Sequence, residues 1–246
     1  MLAFLLTLSL STSASYFNND AREEWILQGE AFPPYVIDNA GTLSGFAVDL
    51  VKEITPHLSL SKPEVKIVPW NRTYQALSKG QEFSALLVSE SLIDKHGLKR
   101  AGPIANCRYS LFMAAGRDSI RSLEEAKQLG SIGVSENSAT ERRAKQLGFK
   151  NIKSYSHSPI KIEGLLNRRL DAWLGCEASI QYRGCMSPGH QGAIVKTLTI
   201  GGEDLYIAFS KNTREEIIQD WNEAITIVKR QKTYQNLMQQ YFSSCP

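Results

Sequence analysis

Gly45-Phe-Ala-Val-Asp-Leu-Val-Lys-Glu-Ile54 is the stretch whose reading decides the fold. Phe46, Leu50 and Ile54 recur every four residues, Leu58 continues the series, and Val51 lies beside it. That spacing predicts a helix from Gly45 to Leu58 with one buried face, with Pro56 a complication near its end. Upstream, Trp25-Ile-Leu-Gln-Gly-Glu30 is a short apolar run that reads as a strand. Downstream, Val65-Lys-Ile-Val-Pro-Trp70 reads as the next strand, and Thr73 to Lys79 as a short helix stopped by Gly80. Strand, helix, strand in succession is the mark of an α/β protein with a largely parallel sheet.

The rhythm continues along the chain. Phe83–Val88, Tyr109–Ala115, Ser131–Val134, Ile152–Tyr155, Asp171–Gly175 and Asp204–Ser210 read as strands. A helix is expected from about Ile160 to Arg169. Three capping boxes, Ser122-Leu-Glu-Glu125, Ser138-Ala-Thr-Glu141 and Thr213-Arg-Glu-Glu216, each announce a helix start. Ile217, Trp221, Ala224, Ile225 and Val228 then mark a long amphipathic helix, and Tyr234, Leu237, Met238 and Tyr241 the stripe of a last one.

Composition narrows the function classes. The 246 residues carry 28 basic and 25 acidic side chains, a net charge of +3. So small an excess, without a Lys/Arg block, gives no electrostatic footprint for nucleic acid. Met1-Leu-Ala-Phe-Leu-Leu-Thr-Leu-Ser-Leu10 is too short to span a bilayer. Small residues follow it, with Thr12-Ser13-Ala14 as a cleavage site, so residues 1–15 are expected to be a signal peptide and the mature chain to be periplasmic, without stable membrane insertion. The four cysteines fit an oxidising compartment. Cys176–Cys185 is the most local pairing, which would leave Cys107–Cys245, although sequence alone does not choose among the three connectivities. The cysteine spacings match no zinc pattern, and His57, His96, His157 and His190 are scattered, so neither a metal nor a cofactor is implied.

Phe32-Pro-Pro-Tyr-Val36 followed by Gly45–Ile54 resembles the start of the bacterial extracellular solute-binding proteins of family 3, the amino-acid-binding components of ABC transporters. Val68-Pro-Trp-Asn-Arg-Thr-Tyr-Gln-Ala-Leu77 is similar to one branch of that family. Gly102-Pro-Ile104, Leu129–Val134, Leu170-Asp-Ala-Trp173, Leu205–Lys211 and Thr233–Phe242 follow in family order. The resemblance implies a two-lobed periplasmic-binding-protein fold of type II, each lobe a mixed, mostly parallel sheet flanked by helices. Lobe 1 would comprise residues 16–107 and 203–246, and lobe 2 residues 108–202, with hinge closure on a small polar metabolite between them.

It also implies a site. Trp70 is the expected wall, with Phe32 and Tyr35 opposite. Ser89 and Ser91 match small hydroxyl residues that contact ligand. Lys95 stands nearest the carboxylate-binding arginine of the family and lacks its bidentate fork. Arg72 and Arg108 are alternative cations. Asn137 and Ser138 open a helix whose free amides favour an anion. Glu177 matches the acid that takes the ligand ammonium. No hydrolase elbow, P-loop or zinc signature is present. The expected role is therefore ligand capture by a monomer for an ABC permease. The alternatives are a periplasmic sensor of ligand for a signalling partner, and a dehydratase-like enzyme on the same fold, for which Glu177 would be the acid or base.

Overall fold

The structure, a computed structural model, describes residues 23–81, 83–156 and 162–242. The expected signal peptide, His157 and Cys245 lie outside them. Strand β1 (Glu23–Gly29) leads through a small hairpin, β2 (Ile37–Asn39) and β3 (Thr42–Ser44), into helix α1 (Phe46–Ile54). The helix buries Phe46, Leu50, Val51 and Ile54, the face that the four-residue spacing marked. Pro56 shortens it. The backbone tightens into a 3-10 turn over Thr55–His57, because proline has no N–H to continue the α-helical ladder.

Then follow β4 (Ser61–Ile67), α2 (Trp70–Ser78), β5 (Ser84–Ser89) and α3 (Glu90–His96). Trp70 is thus the first residue of α2 rather than the last of a strand. Pro69 has no N–H for the ladder of β4 and stands as the N-cap, handing the chain to the helix. Two 16-residue strands, β6 (Lys99–Ala114) and β10 (Ile194–Phe209), run antiparallel through the middle of the molecule. Between them in sequence lie α4 (Leu123–Lys127), β7 (Ile132–Ser135), α5 (Ala139–Gln146), β8 (Ile152–Tyr155), α6 (Ile162–Leu166), β9 (Ala172–Cys176) and α7 (Glu177–Met186). Helices α8 (Glu215–Lys229) and α9 (Lys232–Phe242) end the described chain.

The strands form one sheet in the order β4-β1-β5-β10-β6-β9-β7-β8. Its two outer thirds are parallel, β4-β1-β5 on one side and β9-β7-β8 on the other, and the antiparallel pair β10–β6 joins them. One lobe is therefore built on β4-β1-β5 with α1, α2, α3, α8 and α9, and the other on β9-β7-β8 with α4 to α7. The two long strands cross from lobe to lobe in register, with Cys107 opposite Glu203 and Asn106 opposite Asp204. Each lobe has its own fully buried large side chains, Phe46 and Trp221 in the first and Trp173 in the second. Helix length among the described residues falls short of what a membrane crossing needs.

Caps follow the sequence in two of three cases. Ser122 Oγ accepts from Glu125 N, and Ser138 Oγ from Glu141 N, both at 3.1 Å. The third box does not form: α8 starts after Arg214, and the Thr213 hydroxyl is engaged with Ser210 Oγ at 3.1 Å.

Candidate functional site

The Phe32–Tyr35 loop is fixed by what it caps. Pro34 and Tyr35 carbonyls accept from Phe46 N at 2.9 Å and Ala47 N at 2.8 Å, so the loop satisfies the first free amides of α1. Gly45 makes this possible: its φ is 107°, and a Cβ there would sit 2.7 Å from Tyr35 O. The loop delivers Phe32 to the space between the lobes. Tyr35 turns the other way; it is 1% exposed, and its hydroxyl donates to Asn106 O at 2.9 Å. It stacks under Phe32 with ring centroids 5.2 Å apart, so it supports the wall instead of forming it.

Between the lobes lies a cavity of about 140 Å³. Lobe 1 contributes Glu30, Phe32, Trp70, Thr73 and Ser89; the second lobe contributes Ser135, Ser138, Thr140, Trp173 and Ser179. The crossing strand β6 adds Cys107 and Tyr109. The lining is thus aromatic and hydroxyl-rich, and Glu30 is its charged member, beside the half-buried Arg183, whose guanidinium donates to Ala31 O at 3.2 Å.

Several bonds cross the cavity from lobe to lobe. Trp70 Nε1 donates to Asn137 O at 3.3 Å, and Asn137 Nδ2 to Asn71 Oδ1 at 3.3 Å. Arg142, on the first turn of α5, sends Nη2 to Ser89 Oγ at 3.4 Å and to Ser91 Oγ. The lobes are therefore closed against each other. Asn137 holds a left-handed φ of 57°, which turns its carbonyl to Trp70, and its own N–H donates to Glu141 Oε2 at 2.8 Å. Burial raises the Glu141 carboxyl, yet bonds from Lys145, Ser154 and Asn137 outweigh it and hold the group below its ordinary range.

Five of the residues singled out in the sequence come together here: Phe32, Trp70, Ser89 and Ser138 line the cavity, and Ser91 stands behind it under Arg142. Asn137 is at its edge. Others lie elsewhere. Lys95 is on the outer face of α3, with Nζ 3.5 Å from Tyr74 Oη, because the helix turns it away from the cleft. Arg72 is exposed on α2.

Arg108 and Glu177 are together, but on the opposite face, in a groove of about 1220 Å³ behind the crossing strands. Adjacent residues of a strand point to opposite faces, so Cys107 takes the cavity side and Arg108 the groove. Glu177 Oε1 accepts from Arg108 Nη2 at 2.7 Å and from Lys196 Nζ at 2.9 Å, and Oε2 accepts from Ser110 Oγ at 3.1 Å. Burial raises its carboxyl, but these bonds prevail and hold it below the ordinary range. At the end of β9 it is Cys176, one residue earlier, that faces the cavity.

Cys176 is bonded to Cys107, with Cα atoms 5.3 Å apart, which corrects the expected Cys176–Cys185 pairing. Proximity in sequence misled here: α7 carries Cys185 away from Cys176, whereas the sheet places β6 beside β9. Cys185 is disulfide-bonded as well. Sequence reading missed Glu30, Tyr109, Trp173 and Arg142.

No family model matches the chain. A probable histidine-binding protein of Campylobacter jejuni is 23% identical over 247 residues, covering 97% of this chain and 93% of that one. The arginine-, lysine- and histidine-binding protein ArtJ of Geobacillus stearothermophilus superposes with a TM-score of 0.76 at 20% identity over 91% of this chain and 97% of that one. A histidine kinase sensor domain with similarity to periplasmic binding proteins gives 0.79 at 15% identity over 92% and 99%. The chain thus has the two-lobed fold of the periplasmic binding proteins, the fold of the solute-binding family that its sequence resembles.

Proposed function

We propose that the protein is a periplasmic solute-binding protein that closes its two lobes around one small polar molecule, an amino acid or a related amine or carboxylate, for uptake by an ABC-type permease. The observation that carries this reading is the closed inter-lobe cavity with hydrogen bonds spanning it, Trp70 to Asn137 and Arg142 to Ser89 and Ser91. Aromatic walls with a few convergent polar groups are the usual lining of a small-molecule site. Parallel sheets in each lobe joined by two crossing strands allow hinge motion about β6 and β10. We assign residues 16–107 and 203–246 to the first lobe and 108–202 to the second.

Glu177 does not serve a dehydratase here, since it lies outside the cavity and is bonded to Arg108, Lys196 and Ser110, and the acid that lines the cavity is Glu30. Ligand sensing for a signalling partner is the second reading, supported by the likeness to the kinase sensor domain. A thermal-shift screen with amino acids, small amines and carboxylates tests the proposal, because a ligand that binds only the folded state raises Tm. A hit is expected; a protein that no such solute stabilises is not a receptor of this kind. Stimulation of a permease ATPase by the loaded protein, against stimulation of a sensor kinase, separates the two roles.

A further inference from the structure

Among the described residues, the lining of the inter-lobe cavity holds no Lys, Arg or His, and its one acid is Glu30. The cations nearby are directed elsewhere. Lys95 lies on the outer face of α3, and Arg72 is exposed on α2. Arg108 and Lys196 are bonded to Glu177 on the opposite face. Arg183 donates to Ala31 O and so holds the loop that carries Glu30. Arg142 stands beside the cavity, outside its lining, with Nη2 on the Ser89 and Ser91 hydroxyls.

The donors at the start of α3 are spent on the chain's own groups. The Ser91 amide donates to Glu203 Oε2 at 3.0 Å, and the Ser89 and Ser91 hydroxyls accept from Arg142. Burial lowers the Arg142 guanidinium, and Glu203 is foremost among the charges that oppose this, so the two groups offset each other at the rim. The start of α5 is provided for in the same way: Glu141 Oε2 accepts from Asn137 N at 2.8 Å, and Ser138 Oγ accepts from Glu141 N at 3.1 Å. A carboxylate entering the cavity would lose its hydration beside Glu30 with no cation to replace it.

A cation meets the opposite conditions. Phe32 and Trp70 of the first lobe, Tyr109 of a crossing strand and Trp173 of the second lobe line the cavity with Glu30. Aromatic walls attract cations through their ring quadrupoles, and this is how quaternary ammonium groups are held. The cavity, about 140 Å³, is close to the roughly 150 Å³ of one that holds benzene, so its ligand is small. We infer that the ligand is a small organic cation, an amine or a quaternary ammonium, that carries no carboxylate. This rests on the solute-binding reading above and names the class of solute within it.

The test is a thermal-shift and calorimetric panel on the whole protein. Histamine, putrescine, agmatine and choline are paired with their carboxylated counterparts histidine, ornithine, arginine and glycine betaine, and choline also with its uncharged isostere 3,3-dimethylbutan-1-ol. Wild type is expected to bind at least one of the four cations and to bind it more tightly than its partner. Glu30→Gln should lower affinity for that cation at least about tenfold, the loss of a charge partner in a closed site, and the melting temperature of the unliganded variant shows that it is folded. An amino acid that binds as well as its decarboxylated counterpart overturns the inference while leaving the receptor intact. So do an isostere that binds as well as choline, a Glu30→Gln protein of unchanged affinity, and a response confined to carboxylates. A panel to which the protein does not respond at all removes the receptor reading and this inference with it.

Discussion

Glu177→Gln separates the account from its nearest alternative, in which Glu177 holds a ligand ammonium. The carboxylate is 7% exposed and accepts three hydrogen bonds, from Arg108, Lys196 and Ser110. Arg108 stands in open solvent, so no stabilisation is counted for its pair. The Lys196 side chain is 39% exposed, and a screened pair of that kind contributes about 0.5–1 kcal/mol. The Ser110 bond to a charged acceptor, weakened when the acceptor becomes an amide, adds about 0.5–1 kcal/mol. Glu177→Gln should therefore destabilise the protein by about 1–2 kcal/mol at pH 7, a fall in Tm of about 2–8 °C for a chain of this size. The sign with pH follows from the depressed carboxyl. Its contribution is complete above the unfolded value of about 4.3 and is lost as pH falls through the lower folded value. The difference in Tm between wild type and variant should shrink below about pH 4. Differential scanning calorimetry from pH 3 to 8 reads the stability, and calorimetric titration at pH 7 reads the affinity for any solute the protein binds. Unchanged Tm with affinity lost tenfold or more would refute the reasoning and return Glu177 to the ligand.

Three further outcomes are expected. Trp70→Ala removes a cavity wall and its bond to Asn137 O, so solute affinity should fall by about 2 kcal/mol in titration calorimetry, while an unaltered affinity would take Trp70 out of the site. Gly45→Ala forces a side chain into a left-handed backbone 2.7 Å from Tyr35 O; urea unfolding should show a loss of about 2–3 kcal/mol, and a variant as stable as wild type would contradict the capping role of the Phe32–Tyr35 loop. Cys107→Ser with Cys176→Ser opens a covalent link across 69 residues, and chemical denaturation should show about 2–4 kcal/mol less stability; a protein labelled by thiol reagents at Cys107 without reduction would show the pairing to be wrong.

How much of this was legible beforehand depends on how local the signal was. Helix α1 was legible because its apolar spacing and the Phe32–Tyr35 loop that caps it both lie in one short stretch. Two of the three capping boxes behaved as sequence suggests, and the third was overridden when Ser210 took the Thr213 hydroxyl. The long crossing strands were read only in part. Ile194 to Glu203 alternates apolar and polar residues weakly and contains Gly201-Gly202, so its membership in β10 is decided by eight register partners in β6 and not by its own composition. In the site, residues at element starts, Trp70, Ser89 and Ser138, were found because the end of a strand marks the cleft in an α/β fold. Glu177 was misplaced by a single residue, and on a strand end a single residue is a change of face. Arg142 was missed for a different reason: a charged residue inside a helix turn carries no sequence mark of being sealed against the opposite lobe.

Closure itself can be watched. Spin labels at Lys79, on the first lobe, and Lys153, on the second, report the separation of the lobes by pulsed dipolar spectroscopy, and both positions are exposed. With a solute identified by the thermal-shift screen at saturation, the account predicts that a broad distribution of distances collapses to one short, narrow component. A distribution that stays the same with and without bound solute would contradict a receptor that works by closing its lobes.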